Sequence, residues 1–278
     1  MAPPITLLTD FGIEDAYVAV MKGVILTRNP EAVIVDITHS IEPQNIRQGA
    51  FILASSYHYF PKRSIHMAVV DPGVGGERRG IILKIPDALF VAPDNGVLSY
   101  VIEQLSLNEE AAPEAGDEAA EIRLKRGIEA VSITDPRFWR QPVCPTFHGR
   151  DVFAPVAAGL SLGLSPYEFG EKTDMLAMLP ITKPAMLGPD EVVGRVMYAD
   201  HFGNLVTDIR SSHLPPGPVE VTVGSARIDG ISRHYEETRG LAAILGSSGY
   251  LEISLRNGNA ASRLGALPGD AVHVFAVS

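Results

Sequence analysis

The sequence predicts two domains, an α/β domain with a mostly parallel sheet flanked by helices, followed by an antiparallel β-barrel. In the first half of the chain, short β-branched runs alternate with stretches of helical periodicity, as in residues 5–9, 16–27 and 32–38. This alternation is typical of βαβ units, whose strands pair in parallel. Beyond residue 190 the pattern changes to short strands separated by Gly and Pro turns, which is typical of a small barrel.

The same patterns predict the remaining elements in order. In the first half they indicate a helix at residues 45–59, strands at 64–71, 80–85 and 88–92, a helix at 97–104, a polar hairpin at 121–126 and 129–134, and an apolar helix at 151–164. In the second half they indicate strands at 191–198, 205–209, 219–223, 242–245, 251–255 and 271–277. Pro180, Pro184 and Pro189 interrupt the pattern between the two halves. We therefore place the first domain at residues 1–170, a linker at 171–190 and the barrel domain at 191–278.

The composition excludes several classes of protein. With 46% hydrophobic residues, the 278-residue chain can form a sizeable core and is neither disordered nor collagen-like. The net charge is −10 without any basic cluster, so we expect no nucleic-acid partner. The longest apolar stretches are too short to span a bilayer, and we expect no membrane association. Residues 108–121 are acidic and lack large apolar side chains, which predicts a surface excursion.

The cysteine and histidine content argues against metal chemistry. Cys144 is the only cysteine, so an internal disulfide and a cysteine-based metal cluster are excluded. The eight histidines are scattered without metal-ligand spacing, and we expect no metal site. The chain leads from Met1 into its first strand without the features of a signal peptide. These observations predict a soluble cytoplasmic protein.

Two familiar motifs occur without the context that gives them a function. Asp10-Phe11-Gly12 matches the magnesium tripeptide of kinases, but the glycine loop, the catalytic loop and the strand lysine are missing. The glycine-rich residues 73–76 are followed by Arg78, where a dinucleotide fingerprint needs a glycine. Neither a kinase nor a dinucleotide-binding protein is therefore indicated.

Polar clusters recur inside apolar surroundings, and several of them follow predicted strands. They lie at residues 9–12 with Asp15, 36–40, 71–79, 92–96, 146–151, 200–204, and 246–252 with 258–261. In this order, the chain from Thr9 to the terminal strand resembles the S-adenosyl-L-methionine (SAM) hydroxide adenosyltransferases, relatives of the fluorinase and chlorinase enzymes. The stretches Asp-Pro-Gly-Val-Gly, Phe-Gly-Asn and Gly-Asn-Ala carry the resemblance. It implies an α/β domain followed by a β-barrel, in a homotrimer with active sites at subunit interfaces.

The resemblance also implies a reaction, the displacement by water at C5′ of SAM to give adenosine and methionine. The sulfonium leaves as a neutral thioether, so the reaction needs no general acid and no cofactor. The water must be aligned with the C5′–S bond and must lose a proton. By the resemblance, Asp71, Arg78 and His148 hold this water, and either Asp71 or His148 takes the proton. Arg78 is favoured over its neighbour Arg79 because the family spacing from the aspartate is seven residues.

The resemblance assigns substrate binding to further residues of both domains. Asp10 accepts both ribose hydroxyls in charge-assisted hydrogen bonds. Asp15 and Asp200 lie near the methionine ammonium, Asn204 and Ser247 contact the amino-acid end, Phe147 and Phe202 face the adenine, and Asn259 and Ala260 present backbone groups to its Watson–Crick edge. Ser248 stands where the halogenating relatives carry a basic residue, which distinguishes this chain at the methionine carboxylate.

Two other functions remain open at this stage. A chlorinase-like halide adenosyltransferase would use the same substrate, but such relatives replace the aspartate and the histidine that this chain keeps as Asp71 and His148. A carboxylate beside a halide would also repel it. The second alternative is a module that binds SAM or adenosine without turnover. Formation of adenosine and methionine from SAM would distinguish the three.

Overall fold

The computed structural model describes residues 3–107, 118–181 and 183–277, and the chain separates into two units, Met1–Ile181 and Thr182–Ser278. The first unit is α/β and the second is an antiparallel β-sheet, which confirms the predicted fold class. Most of the predicted acidic excursion, residues 108–117, lies outside the described residues. Among the residues that are described, no helix has the length and apolar character needed to cross a bilayer.

The elements predicted between residues 5 and 104 are present, with ends that differ by a few residues. The strands of the first unit are β1 (Ile5–Thr9), β2 (Ile34–Thr38), β3 (Ser64–Val69), β4 (Gly80–Ile85), β5 (Ala88–Pro93), β6 (Ala120–Arg123), β7 (Glu129–Ile133), β8 (Gly170–Thr173) and β9 (Met175–Met178). The α-helices are α1 (Tyr17–Arg28), α2 (Ile46–Ser56), α3 (Ser99–Gln104) and α4 (Ala154–Ser161). A π-helical turn at Gly149–Phe153 leads directly into α4, and 3₁₀ turns lie at Tyr57–Tyr59, Pro136–Phe138 and Pro166–Phe169.

The main sheet has the strand order β2-β1-β3-β5-β4-β7-β8. β1 pairs in parallel with β2 and β3, β3 pairs in parallel with β5, and only β4 and β8 run in the opposite direction to the other strands of this sheet. The chain moves from β1 outward to β2 and then crosses to β3 on the other side of β1. The carboxyl ends of β1 and β3 therefore mark the reversal of strand order, where open α/β sheets bind their ligands.

The same reversal distributes the helices over both faces of the sheet. Because β–α–β crossovers are right-handed, α1 and α2 must cover opposite faces. α1 packs against α4, and α2 packs against α3. Every residue of α4 is buried, which its almost entirely apolar sequence permits. On α1, Met21 and Ile25 face the core, whereas the outer side of the helix remains exposed.

Two local features of the first unit differ from the prediction. The expected polar hairpin at residues 121–126 and 129–134 is wrong, because β6 pairs with β9 while β7 pairs with β4 and β8. The residues from Gly170 to Met178, predicted in part as linker, form β8 and β9. In both cases the strand partner is distant in the chain, and a local pattern of polar and apolar residues does not identify it.

The second unit is an antiparallel sheet that nearly closes into a barrel. Its elements are β10 (Ala185–Met186), β11 (Glu191–Ala199), β12 (Leu205–Arg210), β13 (Val219–Val223), β14 (Ala226–Asp229), β15 (Leu241–Leu245), β16 (Tyr250–Leu255), α5 (Ala260–Leu264) and β17 (Ala271–Ala276). The strand order is β14-β13-β17-β11-β12-β16-β15, and β10 pairs with β11. A bridge between Ser232, three residues beyond the end of β14, and Ile244 of β15 connects the two ends of this order. Alternating buried residues, such as Val219, Val221 and Val223, fill the interior.

Candidate active site

The carboxyl ends of the neighbouring strands β1 and β3 each lead to an aspartate. Asp10 directly follows β1, and Asp71 lies two residues beyond the end of β3. Both line one cavity of about 410 Å³, together with Phe147 and Thr146. The cavity therefore lies at the reversal of strand order, where a ligand is expected.

Asp71, Arg78 and His148, the three residues predicted to hold a water molecule, form one connected group. Nε of Arg78 lies 3.0 Å from each carboxylate oxygen of Asp71, and Nη2 of Arg78 also contacts Oδ2. The same Nη2 lies 2.9 Å from Nδ1 of His148. The side chains of Asp71 and Arg78 are only 4% and 12% exposed, so solvent screens their ion pair weakly. The fold thus brings together residues from two distant segments of the chain.

The contact between Arg78 and His148 determines where the imidazole carries its proton. A guanidinium has donors only, so Nδ1 of His148 must accept this hydrogen bond. A neutral imidazole then carries its proton on Nε2. Burial, followed by the positive charge of Arg78, lowers the pKa of His148, and the charges of Asp71 and Asp151 oppose this effect. His148 therefore presents an N–H group at Nε2.

A tight loop connects Asp71 to Arg78. Gly75 within it has a φ of +78°, a conformation that favours glycine. A Cβ atom at Gly75 would also lie 2.2 Å from the carbonyl oxygen of Pro145. The loop consequently packs directly on the segment that leads to His148, and a side chain at this position would separate the two.

A buried carboxylate fixes the segment that carries His148. Asp151, in the π-helical turn after His148, has no exposed surface. Its side chain accepts hydrogen bonds from the backbone N–H of Cys144 at 2.8 Å, from Nε of Arg150 at 2.7 Å and from Nη1 of Arg140 at 3.3 Å. π-Helical turns occur frequently at functional sites. The sequence placed Asp151 in the same polar cluster as His148, but gave it no role.

The two adjacent arginines have different partners. Arg79 directs Nε and Nη2 to Oδ2 of Asp94, at 2.9 Å and 2.5 Å. Arg78 alone of the two contacts Asp71 and His148. Arg78, the arginine that the resemblance favours, is therefore the one beside Asp71 and His148.

Aromatic side chains form one wall of the cavity. The ring of Phe147 lies 5.8 Å from that of Phe11 and 5.2 Å from that of Tyr17, both in edge-to-face arrangements. All three residues line the cavity. Asp15 is exposed on the segment between β1 and α1, and it is not among the described residues that line this cavity.

In the second unit, predicted residues build the turn between β11 and β12. Oδ1 of Asp200 accepts the backbone N–H groups of Phe202 at 2.9 Å and Asn204 at 2.8 Å, and Oδ2 accepts Nδ2 of Asn204 at 2.9 Å. Phe202 is 73% exposed at the tip of this turn. An exposed aromatic ring held by a rigid turn provides a surface on which a planar group can stack.

Asn259 supports this turn from the start of α5. Its Oδ1 accepts the N–H of Ser262 at 2.7 Å and so caps the helix. A Cβ atom at Gly203 would lie 2.1 Å from Cγ of Asn259, so only a glycine fits at position 203. Ala260 is fully buried. The side chain of Asn259 is thus engaged within the fold, and its carbonyl oxygen accepts the N–H of Arg263 at 3.0 Å.

A cavity of about 1010 Å³ lies beside the turn in the second unit. The predicted residues Phe202, Asn204 and Asn259 line it, and so do Tyr235, Leu255 and Arg256, which sequence reasoning missed. Asp200, Ser247 and Ala260 are not among the described residues that line it, and Ser247 is exposed in the hairpin between β15 and β16. The missed residues belong to stretches without a motif, and only the fold brings them to the cavity.

The region around this turn is electronegative. Burial, followed by the negative charge of Asp200, raises the pKa of Glu252. Burial and the same two carboxylates raise the pKa of Tyr198 to about 12. Carboxylates that raise the pKa of their neighbours favour a positively charged ligand group nearby. Glu252 is the last residue of the polar cluster at residues 246–252, and the sequence analysis assigned it no role.

Comparisons with known proteins identify the family of this chain. Residues 5–170 match the family described as SAM hydroxide adenosyltransferase N-terminal domain, and residues 194–273 match the corresponding C-terminal domain. The chain is 34% identical over 279 residues to an (R)-S-adenosyl-L-methionine hydrolase of Salinispora tropica, covering 99% of this chain and 98% of the relative. It is 36% identical over 281 residues to a protein of the same name from Thermus thermophilus, covering 98% and 99%.

The chain is also similar to a more distant group of enzymes and to solved structures. A fluorinase of Nocardia brasiliensis is 25% identical over 238 residues, covering 76% of this chain and 73% of the relative. The crystal structure of an uncharacterized conserved protein from Thermotoga maritima superimposes with a TM-score of 0.84 at 33% identity, covering 98% of this chain and 100% of that chain. The matches to both domain families together span most of the sequence. The chain belongs to the SAM hydroxide adenosyltransferase family.

Proposed function

We propose that this protein hydrolyses S-adenosyl-L-methionine to adenosine and L-methionine. The observation that carries the proposal is the connected group of Asp71, Arg78 and His148 beside Asp10, with both aspartates lining one cavity. The full-length relatives named (R)-S-adenosyl-L-methionine hydrolase support it. We extend their name to this chain and take the R epimer at the sulfonium as its substrate.

In the proposed reaction, the oxygen of a water molecule attacks C5′ while the C5′–S bond breaks. The electron pair of that bond moves to sulfur, which leaves as the neutral thioether of methionine. One lone pair of the water forms the new bond, and the other accepts the Nε2–H of His148. Asp71 takes, on Oδ1, the proton that the water loses, because this oxygen contacts only Nε of Arg78 and keeps a lone pair, whereas Oδ2 contacts both Nε and Nη2. Arg78 keeps both partners in register.

The remaining polar groups suggest how the rest of the substrate is bound. Asp10 accepts the two ribose hydroxyls, and the electronegative region of Asp200 suits the methionine ammonium. The sulfonium is itself a good leaving group, so the proposal requires no cofactor and no metal. The other predicted contacts, Asp15, Phe147, Phe202, Asn204, Ser247, Asn259 and Ala260, are part of the same proposal.

Hydrolysis in water enriched in ¹⁸O tests this function directly. We expect the R epimer to give methionine and adenosine that carries ¹⁸O at its 5′ hydroxyl. A parallel reaction with added chloride tests the halide alternative, which would give 5′-chloro-5′-deoxyadenosine. A carboxylate at Asp71 disfavours that product, because it repels an anion beside it. Binding of SAM without any product would instead favour the binding module.

We further propose that the protein assembles as a homotrimer, with each active site at a subunit interface. Exposed apolar side chains on α1 and just before the edge strand β2, together called the apolar surface of α1 and β2, support an interface there. Its exposed members include Tyr17 at 48%, Val20 at 38%, Leu26 at 42% and Val33 at 55%. Several large apolar side chains exposed in one region commonly mark a protein contact. Light scattering of the purified protein measures the number of chains.

A cytoplasmic location is also part of the proposal. The single cysteine, Cys144, is free within the described part of the chain and partly buried. A chain without a possible internal disulfide suits a reducing compartment. Fractionation of cells that express the tagged protein tests this location.

A further inference from the structure

We propose that His39 is a positioning residue for Asp10 and acts through Thr9 and the backbone of Gly12. This inference rests on the proposed function, in which Asp10 holds the ribose hydroxyls. His39 belongs to the polar cluster at residues 36–40, for which the proposed reaction provides no role. It directly follows β2, the strand beside β1, and is 5% exposed.

Two hydrogen bonds join His39 to the loop that carries Asp10. Nδ1 of His39 lies 2.8 Å from Oγ1 of Thr9, the residue before Asp10. The carbonyl oxygen of His39 accepts the N–H of Gly12, two residues after Asp10, at 2.8 Å. Oγ1 of Thr9 in turn accepts the N–H of Phe11 at 3.2 Å. Asp10 is therefore held between attachment points on both sides.

A charged pair beyond His39 sets the direction of these hydrogen bonds. Nε2 of His39 lies 3.1 Å from Oδ1 of Asp36, although its direction deviates from that of a well-formed hydrogen bond. Nζ of Lys22 donates to Oδ2 of Asp36 at 2.6 Å. Burial raises the pKa of Asp36, but its contacts with Lys22 and His39 lower that pKa by more. The resulting negative charge favours a proton on Nε2 of His39, which leaves Nδ1 to accept the hydroxyl of Thr9.

The position of Asp10 matters because its proposed task is geometrically demanding. One carboxylate can accept two neighbouring hydroxyls only if both of its oxygens are held in place. Oδ2 of Asp10 accepts the backbone N–H of Gln44 at 2.8 Å, which orients the side chain. The backbone beneath it is set by the loop, whose Gly12 has a φ of +68°. Loss of the His39 contacts would release this loop on both sides of Asp10.

The first unit contains a matched pair that is suitable as a control. Nδ1 of His66 on β3 lies 2.8 Å from Oγ1 of Thr6 on β1, and both residues are buried. This is the same kind of hydrogen bond, located three residues before Thr9. Replacing His66 with leucine removes a buried Thr–His contact and leaves the loop that carries Asp10 in place.

The test compares the binding of adenosine and 2′,3′-dideoxyadenosine to the full chain by calorimetry. We expect the wild-type protein to prefer adenosine by roughly 10- to 100-fold, since the dideoxy compound lacks both hydroxyls that Asp10 accepts. His39→Leu should reduce this ratio to below about 5-fold, whereas His66→Leu should keep it near the wild-type value. His39→Asn, whose amide can replace Nδ1, should recover part of the ratio.

The outcomes separate the positioning role of His39 from the ribose contact of Asp10 and from the proposed hydrolysis. A folded His39→Leu protein with the wild-type ratio overturns the positioning role and leaves the proposed hydrolysis standing. A wild-type protein that binds both nucleosides equally overturns the ribose role of Asp10 and this inference together. If His39→Leu does not fold, Thr9→Val removes the hydroxyl at nearly constant volume and should lower the ratio in the same way, and an unchanged ratio in it overturns the inference. Absence of adenosine formation in ¹⁸O water concerns the proposed function alone.

Discussion

Nη2 of Arg78 donates to Nδ1 of His148 across 2.9 Å, and this direction is imposed by the guanidinium, which has no acceptor. Asp71, on the other side of the same guanidinium, is the carboxylate of this group. The sequence left the proton acceptor open between Asp71 and His148. With Nδ1 engaged and Nε2 protonated, the proposed reaction assigns His148 the role of donor and Asp71 that of base.

The first prediction separates a donor from a base at position 148. His148→Gln places an amide N–H near the position of Nε2, whereas His148→Ala removes the donor. We expect His148→Ala to lower kcat by roughly 10²-fold, and His148→Gln to lower it by less than about 10-fold. The measurement is the initial rate of adenosine formation at saturating SAM. Equal losses in the two variants would contradict the donor role.

The adjacent arginines provide a matched pair for the second prediction. Arg78→Lys loses the paired contact of Nε and Nη2 with Asp71, and with it the fixed direction of the donor to His148, because an ammonium lacks the fork of a guanidinium. We expect kcat to fall by roughly 10²-fold, the scale of positioned acid–base groups. Arg79→Lys makes the same change one residue away, where the partner is Asp94. It should keep kcat within about 3-fold of the wild type, and a similar loss in both variants would remove the specific role of Arg78.

The third prediction concerns the ribose. Asp10→Asn keeps an acceptor for the N–H of Gln44, but removes the charge that strengthens the hydrogen bonds from the hydroxyls. Binding should weaken by about 1.5–3 kcal/mol, mostly as an increase in KM. Glu14→Gln removes one charge from an exposed position nearby and serves as the control. A change in kcat alone, at normal affinity, would argue against the ribose contact.

Periodicity predicted the elements of the first unit well because βαβ units are built from neighbours in the chain. Asp71 and Arg78, which are seven residues apart in the sequence, are in contact in the structure because a closed loop joins them. The partners of β6 and β7 could not be predicted in this way, because they depend on β9, β4 and β8. A wrong hairpin was the result.

The same limit applies to the candidate site. Residues inside a compact motif, such as His148 in the stretch 146–151, could be found from the sequence. Tyr235 and Arg256 could not, because they reach the cavity of the second unit from separate segments. The direction of the Arg78–His148 hydrogen bond depends on side-chain geometry, so the sequence spacing could not predict it. Local motifs could therefore be predicted from the sequence, whereas contacts between distant segments required the structure.

The fourth prediction concerns stability and pH. Burial lowers the pKa of His66 to about 4, below its ordinary value of 6.5. Between these values the unfolded chain binds a proton that the folded chain does not, so this contribution is present above pH 6.5 and is lost as the pH falls. The free energy of unfolding should decrease by about 2 kcal/mol from this group between pH 7.5 and pH 5.

His66→Asn isolates that contribution, because asparagine does not titrate and still offers Thr6 a polar partner. Urea unfolding of the wild type and the variant at both pH values measures the difference between their decreases. The wild type should lose about 2 kcal/mol more than the variant. Equal decreases would mean that His66 titrates alike in the folded and unfolded chains.

The last prediction concerns assembly and uses the apolar surface of α1 and β2. Val20, 38% exposed on the outer side of α1, would be covered at the proposed subunit interface. Val20→Lys would place a charge there, and an unpaired buried charge is costly enough to favour separate chains. Tyr59→Lys adds the same charge at a residue that is 74% exposed and ends the 3₁₀ turn after α2, the helix on the opposite face of the sheet. We expect light scattering to show three chains for the wild type and Tyr59→Lys, and dissociation with loss of hydrolysis for Val20→Lys. A wild-type monomer with full activity, or an intact active trimer of Val20→Lys, would exclude this surface from the active assembly.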